Sequence, residues 1–204
     1  MVKMVSSDTR TKTVRVNVTL EGTREIMFDR YSGDNKSQLT WDQKIYLAPG
    51  TNVLTLPATN IASLLTATNT NSAPKRLRDK RVYKSIANAI LSFTSINGPD
   101  KHPGYIPFTR NGKEIQVGRF EVDHEPKSGI YLHRSVARLE KGIPNAKERP
   151  VLTLPWALDF TIEIYPNQEI KEQEIKNLLE QAGVAIGLGT FRGVYGKFAL
   201  TKWE

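Results

Sequence analysis

A chain of 204 residues with 39% hydrophobic content is long enough for one good core and too apolar for a disordered protein. No run approaches the roughly 18 apolar residues of a membrane-spanning helix. The opening MVKMVSSDTRTKT lacks the apolar middle of a signal peptide, and the absence of cysteine excludes disulfides and thiolate metal sites, so the expectation is a soluble, cytoplasmic protein. The 29 Lys+Arg against 21 Asp+Glu leave a net +8. That surplus suits a polyanion, whose neutralised phosphates release counterions, or else a plain solubilising surface.

In chain order, TVRVNVTLEG alternates Val14, Val16, Val18 and Leu20 with polar residues, which predicts a half-buried strand. The stretch REIMFDRYSGDNKSQLTWDQ is turn-rich around Ser32, Gly33, Asp34 and Asn35 and reads as an exposed loop. KIYLAPGTNVLTLP gives short extended pieces around a Pro-Gly turn. From residue 57 the period changes: Thr59 or Asn60 caps a helix whose Ile61, Leu64 and Leu65 share one stripe.

KRLRDKRVYKSIANAILSFTSI reads as a helix running into a strand. Asn111-Gly112 between extended segments predicts a hairpin, and the charged stretch from Asp123 to Pro150 predicts a second hairpin or an arm. LDFTIEIYP alternates again as a strand. Asn167 is then expected to cap a helix with Ile175, Leu178, Leu179 and Ala182 on its buried face, stopped by Gly183. Five glycines fall within residues 183–196 before a terminal strand around Phe198 and Leu200. Strand, helix, glycine-rich turn and strand make half of a split β-α-β unit, and the first strand and helix supply the other half. The predicted class is therefore α+β: a ferredoxin-like or RNA-recognition-like core with an antiparallel sheet. It is read as one domain, 1–204, with irregular insertions (basic helix, hairpin and arm) over 66–150.

The densest charge cluster is Lys75, Arg76, Arg78, Lys80, Arg81 and Lys84 against one acid, Asp79. On one helix these side chains would cover most of the circumference, which favours contact with phosphates over a surface paired with acids. Arg134 and Arg138 belong to a second group, interleaved with Glu140 and Glu148. Tyr131 and His133 fall on the same side of a strand next to Arg134, a combination that would suit acid, base and phosphate clamp in RNA cleavage; a structural role for them is the competing reading. No metal-ligand spacing and no cofactor fingerprint is present: the glycines at 187–193 follow a helix instead of opening one.

IGLGTFRGVYGKF at the C-terminal end resembles the glycine-rich motif of the RAMP superfamily of CRISPR-associated proteins of antiviral defence. LPATNIASLL stands where backbone-type RAMP subunits carry a proline-led helix start of the form PGSSLKG, although Ile61-Ala62-Ser63 lacks the Lys-Gly of that pattern. Arg149, Pro150 and Trp156 are a weaker parallel before the penultimate strand. The resemblance implies an RNA-recognition-like fold that grips the phosphates of single-stranded nucleic acid, RNA above DNA, and assembles along it with copies of itself or other subunits of a ribonucleoprotein.

It also implies a phosphate or structural role for Gly187, Gly189, Arg192, Gly193, Gly196 and Lys197. Some such subunits cut target RNA with an aspartate after the first strand, which makes Asp29 and above all Asp34 positional candidates. The leading expectation is a non-catalytic nucleic-acid-binding protein, a compact phage or mobile-element relative of that superfamily. An endoribonuclease, and a protein-interaction subunit or phage inhibitor, are the alternatives.

Overall fold

The computed structural model describes residues 12–33, 39–66, 70–118, 129–138 and 144–204. They form β1 (Val14–Gly22), β2 (Ile26–Met27), a 3-10 turn (Trp41–Lys44), β3 (Tyr46–Leu47), β4 (Leu54–Pro57), α1 (Ala58–Leu65), α2 (Ala73–Leu77), α3 (Lys80–Phe93) and β5 (Thr94–Asn97). After these come β6 (Tyr105–Arg110), β7 (Lys113–Glu114), β8 (Ile130–Arg138), β9 (Pro144–Leu152), β10 (Ala157–Ile164), α4 (Glu172–Ala185) and β11 (Phe198–Trp203).

Four of these strands lie in the order β11-β1-β10-β5, every neighbour antiparallel. One crossover runs from β1 through α1–α3 to β5, and the other from β10 through α4 to β11. This is the ferredoxin-like arrangement. The alternation of β1 and β10 is what sets it: Val16, Val18, Leu20, Leu158, Phe160, Ile162 and Ile164 all turn inward. They meet Ile61, Leu64 and Leu65 of α1, Ile86 and Ile90 of α3, and Ile175, Leu178 and Leu179 of α4 in one core cluster. Each such side chain contributes roughly 1.5–3 kcal/mol of transfer free energy before chain entropy is set against it.

The segment 66–150 contains more than insertions. It holds α2 and α3 of the helical layer and β5, which pairs with β10. The sheet is extended past β10 by β6, β4 and β3, with β6 and β7 joined at Asn111 and Gly112, both at positive φ (52° and 74°) as the hairpin signal requires. A separate three-stranded sheet, β2-β9-β8, carries the long hairpin.

Several local expectations are corrected. The supposed exposed loop after β1 buries Ile26, Met27 and Phe28, and the first two pair with β9, because three consecutive apolar side chains outweigh the polar turn that follows. Neither Thr59 nor Asn60 caps α1, which begins at Ala58 directly from β4 with Pro57 as its cap residue. Asn167 does not start α4: its Oδ1 accepts from the amides of Glu169 (3.0 Å) and Ile170 (2.8 Å), closing a local turn, and the helix begins at Glu172. Gly183 does not stop α4. It is buried against Phe198, and the stop falls at Gly187, whose φ of +90° turns the chain away from the helix.

Candidate nucleic-acid interface

The basic cluster is divided between two helices. α2 ends at Leu77, and Asp79 caps α3 by accepting from the Arg81 amide at 2.8 Å. The Asp79 carboxylate also holds the Arg81 guanidinium at 3.2 Å, and this bond keeps Asp79 below the usual carboxylate range. Lys75, Lys80 and Lys84 are exposed, and no carboxylate lies within ion-pair distance of them among the described residues. Arg78 is half-buried, and its Nε is buried without an acceptor among the described residues.

α2 also packs on α4, which brings the cluster to the glycine-rich segment. Lys197 Nζ donates to the Val184 carbonyl in the last turn of α4 at 2.6 Å, the favourable place for a cation at a helix C-terminus. Its pKa is pushed down, first by burial and then by the charge of Arg76. Two cations remote in sequence are thus placed near one another, and neither forms an ion pair with a carboxylate among the described residues. Arg76 is exposed and is held only loosely, at 3.4 Å, by Asn71 Oδ1. Like charges brought together without an acid favour an incoming anion.

The glycine-rich segment itself is a closed loop. The amides of Leu188, Thr190, Gly193 and Gly196 donate to Gly196 O, Met27 O, Ile186 O and Glu25 O at 2.7–2.9 Å, and those of Val194 and Tyr195 both donate to Phe191 O. A phosphate cradle made of these main-chain N–H groups is therefore ruled out, since they are already spent. Gly187 and Gly189 let the loop pack on itself and on β2: at Gly187 a Cβ would sit 2.8 Å from Tyr195 O, and at Gly189 it would overlap Met27 O. Only Gly193 opens to free space.

Arg192, expected on the phosphates, folds back instead. Its Nε donates to Gly189 O at 3.2 Å, its Nη1 is buried without an acceptor among the described residues, and burial pushes its pKa down. Among the described residues of this region, Arg76, Lys197 and the lysines of α2 and α3 are cations without a carboxylate partner.

The loop docks on the second sheet. Tyr195 lies edge-on to His133, with ring centroids 6.1 Å apart, and it hydrogen-bonds Tyr131, so alternation along β8 does put Tyr131 and His133 on one side. Tyr131 is buried and its hydroxyl donates to Glu25 Oε2 at 2.8 Å. Burial foremost, then that bond, raises its pKa, which leaves a protonated phenol tied to a carboxylate. Arg134 is paired with Glu148 at 2.9 Å. Asp29 is clasped by Arg149 at 2.7 Å and Lys44 at 3.6 Å, and Arg149 in turn reaches Ser135. Asp34 and the Arg138 side chain lie outside the described residues, and no carboxylate–histidine group fit for a metal occurs among those that are described.

The outer face of β1 and β10 holds Arg15, Asn17, Thr19, Asp159, Thr161 and Glu163, without an aromatic among these two strands, and Thr19 donates to Asp159 at 2.6 Å. On this face of the two central strands there is no ring of the kind by which RNA-recognition sheets stack bases.

No protein-family model matches the chain, and no curated protein matches it. The fold is similar to that of a chain in the cryo-EM structure of the type III-B Cmr-beta bound to cognate target RNA. The likeness has a TM-score of 0.53 at 15% identity; it covers 95% of this chain and 60% of that one. The sharing is therefore one of fold, and this chain spans less than two thirds of its neighbour's length. No helix among the described residues is long and apolar enough to cross a membrane.

Proposed function

We propose that the protein is a non-catalytic RAMP-type subunit of CRISPR-associated defence that holds single-stranded RNA by its phosphates within a larger ribonucleoprotein. The observation that carries this is the exposed basic cluster of Lys75, Arg76, Lys80 and Lys84 on α2 and α3, none of which has a carboxylate partner among the described residues, on the side of the fold where α2 packs on α4. Support comes from the fold, shared with a chain of an assembly bound to target RNA. The commitment of the Tyr131 hydroxyl to Glu25 and of Asp29 to Arg149 and Lys44 favours binding over cleavage.

The test is equilibrium binding of labelled single-stranded RNA across a salt series. Log affinity should fall linearly with log salt, with a slope of about −0.7 per phosphate neutralised, and the RNA should be recovered uncut. Binding that is absent or indifferent to salt would sink the proposal, and cut RNA would replace it with the endoribonuclease.

A further inference from the structure

Phe191 stands out in the loop. It is an L-residue with φ of +54°, a conformation glycine takes without strain, and 58% of it is exposed. A strained position that glycine would fill at lower cost, occupied instead by a large ring open to water, points to a use for the ring. The backbone around it is tightly held, since Phe191 O accepts from the amides of both Val194 (3.3 Å) and Tyr195 (3.2 Å).

Behind the ring, at 5.5 Å from its centroid, lies the Arg149 guanidinium. That cation is 9% exposed and immobilised by Asp29 at 2.7 Å and Ser135 at 3.4 Å. The ring is therefore backed by a fixed cation while more than half of the residue is open to solvent.

We propose that Phe191 is a stacking platform for one unpaired base of the bound strand. This rests on the nucleic-acid reading above and adds to it a contact with a base instead of a phosphate. A flat π-face accepts any base, so the contact confers preference for single strands over duplex without sequence preference. The Arg149 cation beneath it favours the electron-rich ring in a fixed orientation.

The test uses the full-length chain and single-stranded RNA carrying 2-aminopurine, with inorganic polyphosphate as a competitor that has charge but no bases. In Phe191→Gly the loop keeps its backbone conformation without strain and loses the ring. RNA affinity should drop roughly five- to thirty-fold and the 2-aminopurine stacking signal should vanish, while competition by polyphosphate stays as in wild type. Phe191→Trp should keep both the affinity and the signal. Phe191→Leu, which keeps an apolar side chain but no π-face, should behave as the glycine variant, and it serves if that variant melts early.

Wild-type RNA affinity in both Phe191→Gly and Phe191→Leu overturns the platform, as does a parallel loss of polyphosphate affinity, which would make the ring's role structural. A wild type that binds polyphosphate with no stacking signal removes the base contact and leaves the phosphate reading standing. Failure of wild type to bind either polyanion removes both.

Discussion

Replacing Gly196 by alanine tests whether the glycine-rich loop is a folded unit held by its own main chain. At this position φ is +71°, and an added Cβ would overlap the Leu188 carbonyl oxygen and lie 2.8 Å from its carbon and 2.9 Å from the Leu188 nitrogen. All three are backbone atoms, so no side chain can rotate away to relieve the clash. The loop must open there, at the cost of the bonds from Leu188 N to Gly196 O (2.9 Å) and from Gly196 N to Glu25 O (2.7 Å). Each such bond is worth about 1 kcal/mol, and the left-handed backbone adds about 1–2 kcal/mol for a residue with a Cβ. The expected loss is on the order of 3–4 kcal/mol.

Gly193→Ala is the internal control: φ is +104° but nothing lies within 4 Å of the added carbon, so only the conformational cost of about 1–2 kcal/mol applies. Urea unfolding followed by tryptophan fluorescence, with buried Trp156 as reporter, measures both. Equal losses in the two variants would refute the packed-loop account, as would a Gly196→Ala loss below about 1 kcal/mol.

Removing Arg76 or Lys197 singly should weaken RNA binding at low salt and lower the magnitude of the salt slope by about 0.7 for each phosphate left without its cation; an unchanged slope in both variants places the phosphates elsewhere. Arg149→Ala leaves Asp29 with only the longer Lys44 contact and takes the cation from beneath Phe191. It should cost about 2–3 kcal/mol in denaturant unfolding, and a loss under about 0.5 kcal/mol would contradict the structural role of that pair. Glu114 is held below its ordinary value of 4.5 chiefly by its bond to Lys101. A carboxylate depressed in the folded state stabilises it above the unfolded pKa, and that contribution is lost as pH falls through the lower folded value. The stability gap between wild type and Glu114→Gln should therefore narrow as the pH is lowered below about 4.5, and a gap that widens in thermal melts over this range would reverse the assignment.

Elements whose evidence is local were legible in the sequence. The alternation of Val16, Val18 and Leu20, and of Leu158, Phe160 and Ile162, identifies strands because a pleated backbone sends successive side chains to opposite faces. The stripe of Ile175, Leu178 and Leu179 identifies α4 for the corresponding helical reason. Asn111-Gly112 declares its turn through the positive φ that both residues tolerate. Helix ends were read less well. At Asn167 a side-chain amide captures the backbone before the helix can begin, and at Gly183 the missing Cβ serves contact with Phe198 instead of a turn. A residue type does not reveal which of those uses the packing will make of it.

The sequence by itself determined the alternating strands β1 and β10, the apolar stripes of α1 and α4, the α+β class and the presence of a dense basic cluster. The tertiary structure decided which of those charges are available. It splits the cluster at Asp79, turns Arg192 inward onto Gly189, spends Arg149 on Asp29 from 120 residues away, and carries Lys197 to Arg76. The physical reason is that backbone periodicity is a property of neighbours along the chain. The direction of a long charged side chain, and the desolvation and partners it meets, depend on segments that only folding brings together.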